Sequence, residues 1–292
     1  MSLFRRQATG SVVSVSCGRL VGVRDERCFH CGRRNPALWG YAPALRMLGA
    51  DLGFVKLLIG GCAALYLVAL LLSPGALQPR GLMQLFAPSS RTLFLLGASG
   101  PLPVFGLGHF WTVLSAGWLH GSLLHILFNM MWVRQLAAPV ADLYGAGRMV
   151  LIWTAASVVG FAMSSAAGAF LPALPLIGSH AAFTVGASAS IFGLLGALVF
   201  YGRRSGQRAM RDQVWGWAVV MFLFGLIMPG VDNWAHFGGF VGGYVAARLL
   251  DPLQPERLQH LLLALICLAA TFGSIVLSVV TGTRILSALE GG

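Results

Sequence analysis

What the chain has least of is charge. Asp, Glu, Lys and Arg together make up 10% of its 292 residues, against about 25% in an ordinary soluble domain. That scarcity excludes a water-exposed globular surface. Acids are the scarcest of all, nine against 20 basic residues. In a soluble chain the resulting charge of +11 would suggest a nucleic-acid partner. Here the basic residues fall in one set of connections and no RNA-type aromatic motif accompanies them, so no nucleic acid is expected. No apolar stretch of signal length precedes residue 52, which argues against a secretory signal. Residues 1–20 contain Arg and Ser but no acid, leaving a mitochondrial presequence as an alternative address. No carboxylate lies deep in an apolar run, which disfavours an ion-coupled transporter.

What is there instead is apolar sequence: 57% of residues, a mean hydropathy of +0.78 and 38 glycines. The chain reads as an all-α polytopic membrane protein whose helices pack closely through glycine. Runs long enough to cross the hydrocarbon core fall near 52–73, 119–139, 149–171, 186–202, 213–229, 232–250 and 259–282. The fourth and fifth are short for a span. Eight arginines lie in the first 50 residues. Arg134, Arg148, Arg203, Arg204, Arg208, Arg211, Arg248 and Arg257 fall in connections on that same side. Only Arg80, Arg91 and Arg284 lie opposite. An excess of Arg marks the cytoplasmic face, so the N-terminus is expected inside and the C-terminus outside. Residues 74–107 form a long external connection, partly apolar and without obvious structure, of a length that is more often functional than idle.

The five cysteines divide by position. Cys62 and Cys267 sit singly in spans, as small apolar residues do. Cys17, Cys28 and Cys31 lie in the head, where a cytoplasmic location disfavours disulfides. Cys28-Phe29-His30-Cys31 has the spacing that lets two thiolates hold one zinc. A second pair is missing, since Ser14 stands three residues before Cys17. Either the three thiols bind a structural zinc with His30 or an outside ligand, or they are free thiols in a degenerate ribbon.

Polar groups inside spans are costly and suggest function. The second span carries His120, His125 and Asn129. His125 and Asn129, four residues apart, share a face and can aim two donors at one point. The fourth begins Gly186-Ala187-Ser188-Ala189-Ser190. The sixth places His236, Gly239 and Gly243 on one face, where glycines admit a neighbouring backbone. That would bring His236 within reach of a serine, the arrangement that activates a hydroxyl. Asp232, four residues before His236, reads better as a helix N-cap than as a third catalytic group.

These residues resemble the rhomboid family of intramembrane serine proteases. His120 with His125-Ile126-Leu127-Phe128-Asn129 is similar to its H-x3-N motif with a preceding histidine. Gly186-Ala187-Ser188 is similar to its G-x-S, and Ala235-His236 with Gly239 and Gly243 to its A-H-x2-G-x3-G. The resemblance implies a six-helix core with one extra C-terminal helix: a Cys-containing head over 1–50, a core over 51–250 and the added helix over 251–292. It implies a Ser188–His236 dyad without a carboxylate, and an oxyanion site from His125, Asn129 and the Ser188 backbone N–H. Phe192 matches an aromatic beside the histidine, while His120, Gly186, Ala187, Gly239 and Gly243 are supporting positions. No cofactor is implied for catalysis. The implied substrates are transmembrane proteins cleaved near the external face of a bacterial plasma membrane. Two departures stand out. Ala189 occupies a position where the family has glycine, and Trp111 is followed by Thr112 where many members have arginine. The contrasting reading is an inactive relative that binds membrane clients, which Ala189 alone favours.

Overall fold

The structure, a computed structural model, describes residues 6–15, 17–46, 49–78, 81–172, 182–228 and 230–290. Arg5 and Arg80, two charges used for orientation, lie outside the described residues. The head carries a small antiparallel hairpin, β1 (Ser11–Val13) and β2 (Leu20–Gly22), with Val12 opposite Val21. Both valines bury their side chains against Val23, Cys28, Ala37 and Ala42. A short helix, α1 (Ala42–Arg46), follows.

Among the described residues, seven long helices coincide with the seven expected spans. They are α2 (Phe54–Leu71), α5 (Leu123–Tyr144), α6 (Ala146–Phe170), α7 (Ser188–Ser205), α8 (Arg208–Ile227), α9 (Asn233–Leu249) and α10 (Leu258–Glu290). Four of them, α2, α6, α8 and α10, are long and apolar enough to cross a membrane on length and composition alone. On the other three, α5, α7 and α9, lie His125, Asn129, Ser188, Phe192, His236, Gly239 and Gly243. His120, Gly186 and Ala187 precede their helices, because α5 starts only at Leu123 behind its Ser122 cap and α7 only at Ser188. α8 begins five residues before its apolar run, because Arg208, Arg211 and Asp212 form a helical turn that hydropathy cannot register.

The connection between α2 and α5 is more ordered than its composition suggests. It contains α3 (Ser90–Leu96) and α4 (Thr112–Ser115). The hydroxyl of Ser89 caps α3 by accepting the Thr92 N–H at 3.1 Å, and Gly97, at φ 100°, ends it. Ser99 and Thr184 exchange backbone hydrogen bonds, tying this connection to the segment ahead of α7.

Lipid tails are as apolar as leucine, so helices associate in a bilayer through close packing rather than hydrophobic gain. The contact of α6, α7 and α9 shows how close. A Cβ on Gly239 would overlap the backbone of Ala189, and one on Gly243 the backbone of Gly193. Gly160 in α6 leaves room for the Ala235 carbonyl and the Ala189 methyl.

At the head end, Arg148 is buried rather than facing water. Its guanidinium donates to the carbonyls of Leu250, Asp251 and Gln254 at 2.8–3.0 Å. Glu256 accepts the Arg148 backbone N–H at 2.9 Å. Burial pushes the Glu256 carboxyl up, outweighing the opposing pull of the Arg148 backbone N–H and guanidinium. The connection from α9 to α10 is therefore wrapped around one side chain.

Candidate active site

Ser188 is the first residue of α7, and Ala187 at its N-cap supplies no side-chain acceptor. The opening N–H groups of this helix are therefore left for another partner. His236 sits one turn into α9. Its Nε2 lies 2.9 Å from Ser188 Oγ. The ring is clamped by Phe192, one turn further along α7, with centroids 4.3 Å apart and planes 16° from parallel. His236 is 7% exposed.

Asp232 makes its hydrogen bonds elsewhere. One carboxylate oxygen accepts the Ala235 N–H at 2.9 Å as an N-cap, and the other accepts from the Ser164 hydroxyl. His236 Nδ1 is buried without a hydrogen-bond partner among the described residues. Ser190 is committed elsewhere, donating to the Trp153 carbonyl at 2.9 Å from a fully buried position.

His125 and Asn129 come to the same spot from α5. A Cβ built on Gly186 would lie 2.6 Å from His125 Nε2 and 3.6 Å from Asn129 Nδ2. The cradle beside these two nitrogens is open because residue 186 is glycine, held at φ 134°. The Gly186 N–H donates to the Ala116 carbonyl at 3.0 Å, which fixes the turn into α7. Asn129 Nδ2 is buried and has no hydrogen-bond partner among the described residues. It is a donor waiting for an acceptor.

Gly121 adds a detail that the sequence did not single out. Its backbone N–H donates to His125 Nδ1 at 3.3 Å. A neutral imidazole with an accepting Nδ1 carries its proton on Nε2, the atom facing the Gly186 cradle. His120 packs its ring edge-on to His125, with centroids 5.2 Å apart, and is 1% exposed. Gly160 was also missed. Its only signal is a small residue in the middle of an apolar run, and its partner is visible only in three dimensions.

Chemically, the arrangement offers a hydroxyl beside an imidazole nitrogen, with two side-chain donors converging nearby. A hydroxyl so placed can attack a carbonyl, and the donors can receive the oxyanion.

The head holds a second cluster. The sulfurs of Cys17, Cys28 and Cys31 all lie within 4.8 Å of one another, with Cys17 and Cys28 at 3.6 Å. Backbone N–H groups of Cys31 and His30 and the neighbouring thiols outweigh desolvation and bring Cys28 down to about 7. Burial pushes the Cys31 thiol up. Three sulfurs this close together have the donor chemistry of a zinc site.

Against known proteins, residues 107–252 match the family model for the Rhomboid domain. The chain is 30% identical to the rhomboid protease GluP of Bacillus subtilis, over 63% of this chain and 35% of that protein. It is 26% identical to RHOMBOID-like protein 1 of Arabidopsis thaliana, over 70% of this chain and 51% of that one. It is also 26% identical to Rhomboid-like protease 3 of Toxoplasma gondii, over 54% of this chain and 58% of that one. The chain thus spans less than two thirds of the length of each of these relatives.

Proposed function

The chain belongs to the rhomboid family, and from that premise we propose that it is an intramembrane serine endopeptidase acting through Ser188 and His236. The observation that carries this reading is the 2.9 Å contact of Ser188 Oγ with His236 Nε2 at an uncapped helix start. In the reaction Ser188 Oγ bonds to the scissile carbonyl carbon as its proton passes to His236 Nε2. The carbonyl oxygen becomes an oxyanion held by His125 Nε2–H, Asn129 Nδ2–H and the N–H groups opening α7. Collapse breaks the C–N bond, and His236 returns the proton to the leaving nitrogen. Water, deprotonated by His236, then hydrolyses the acyl-enzyme and frees Ser188. No third carboxylate takes part, consistent with Asp232 serving as a cap. Phe192 keeps the imidazole plane from rotating between the two proton transfers.

The substrates are transmembrane proteins whose helix unwinds near the outer interface. The protein sits in a bacterial plasma membrane with the N-terminus inside and the C-terminus outside. The chain divides into a head (1–50), a catalytic core (51–250) and an added helix (251–292). A structural zinc held by Cys17, Cys28 and Cys31 stabilises the head and takes no part in the reaction. Supporting activity over an inactive, client-binding role, Ala189 leaves the serine and histidine in hydrogen-bond contact. The test is cleavage of a single-span substrate in proteoliposomes. The wild type should cut it and Ser188→Ala should not; equal cleavage by both, or by neither, rejects the reading.

A further inference from the structure

The matched family region ends before α10 begins, yet α10 reaches the neighbourhood of the site. Trp111, which precedes α4, donates its indole Nε1–H to Ser278 Oγ in α10 at 3.0 Å. Ser278 in turn donates to the Ser274 carbonyl at 2.8 Å, so its hydroxyl is directed and its lone pair is left for Trp111. Ser278 is 2% exposed. Gly97 lies at the same junction. A Cβ there would sit 2.7 Å from Ser278 Oγ and overlap the Ser115 hydroxyl, which itself donates to the Gly97 carbonyl at 2.8 Å.

Two routes run from this junction to the segment ahead of Ser188. Along the chain, α4 leads from Trp111 to Ala116, whose carbonyl accepts the Gly186 N–H. Through side chains, Trp111 stacks on His109 at 4.6 Å, His109 on Phe94 at 6.3 Å, and Phe94 meets Phe183 at 5.6 Å. Phe183 is next to Thr184, whose backbone pairs with Ser99. Both routes end on residues 183–186, the last of which is the glycine that leaves the cradle beside His125 and Asn129 open. The far end of α10 is anchored separately, since the connection leading into it wraps Arg148.

We infer that Trp111 and Ser278 are positioning residues for the reaction, through which α10 holds the segment ahead of Ser188 in register with the oxyanion donors. This rests on the protease reading above. In this chain the Trp111–Ser278 bond fastens the connection at the point where Thr112 stands in place of an arginine.

The test uses the full-length protein and the rate of fluorophosphonate acylation at Ser188, normalised to the fraction finally labelled. Trp111→Phe and Ser278→Ala should each slow acylation by roughly 3- to 10-fold, the range of one net hydrogen bond. The double variant should be no slower than either single one, because both remove the same bond. With a cleavable substrate, kcat should fall while KM holds. Thr283→Ala, exposed on the same helix, should behave as wild type. A merely structural contact would lower the amount of folded protein and leave the acylation rate of the labelled fraction unchanged. That result, or additive effects in the double variant, overturns the inference. A wild type that fails to label sinks the protease reading together with this inference. A wild type that labels beside unaffected variants sinks the inference alone.

Discussion

The methyl of Ala189 is received by Gly160. A Cβ at position 160 would stand 2.8 Å from the Ala189 Cβ and 2.7 Å from the Ala235 carbonyl oxygen. An extra methyl directly after Ser188 is thus matched by the absence of one on the facing helix, and α7 and α9 keep their spacing. Gly160→Ala should overpack this crossing, at a cost of about 1–3 kcal/mol, and reduce proteolysis. Adding Ala189→Gly should restore part of both, measured as denaturation midpoint and cleavage rate. If Gly160→Ala leaves stability and cleavage at wild-type levels, the fit is not tight.

Ser190 and Ser188, two residues apart, have different hydrogen-bond partners. Ser190 donates to the Trp153 carbonyl from a buried site. Ser190→Ala should cost about 0.5–1.5 kcal/mol of stability, the worth of one net hydrogen bond, and retain most cleavage. Ser188→Ala should abolish cleavage at unchanged stability. The reverse pattern would exchange their roles.

Asp232 should prove structural. Asp232→Asn keeps a capping oxygen for the Ala235 N–H and should leave turnover close to wild type. Asp232→Ala should lose about 1 kcal/mol of stability through the missing cap. A hundredfold loss of kcat in Asp232→Asn, with the fold intact, would instead make it a partner of His236.

In the head, purified protein should contain about one equivalent of zinc, because folded sulfur triads of this kind take up metal tightly. Cys28→Ser should remove the metal and leave proteolysis largely intact. Metal-free protein with three freely alkylated thiols would contradict a zinc site.

The seven helices were legible because apolar runs of spanning length leave few alternatives. So were the polar groups that interrupt them, since a histidine in such a run is conspicuous. Less legible was what those groups touch. Gly121 acts through its backbone N–H, which any residue possesses, so its sequence carries no sign of the bond to His125. α3 was passed over because its seven residues carry too little periodicity, though Ser89 and Gly97 stand at its ends as caps. Arg148 reads as a surface charge, and only the fold shows three carbonyls converging on it. The Trp111–Ser278 bond joins residues 167 apart, so nothing local in the sequence around either one announces it.

Asn129 offers a measure of the oxyanion site. Its Nδ2 is buried without a partner among the described residues, so the donor should be used only when an oxyanion forms. Asn129→Ala should lower kcat by about 10²–10³, equivalent to roughly 3–4 kcal/mol, with little change in KM. His125→Ala should be at least as damaging. A rise in KM alone would mean that Asn129 binds substrate uniformly.

If Ser188 is a nucleophile activated by His236, it should react covalently with a serine-directed probe. The most direct measurement is fluorophosphonate labelling of the detergent-solubilised protein, with the modified residue located by peptide mass spectrometry. One label should appear on Ser188, none in Ser188→Ala, and the labelling rate should be strongly reduced in His236→Ala. A wild type that stays unlabelled, or a label on Ser190 or another serine, would contradict that role.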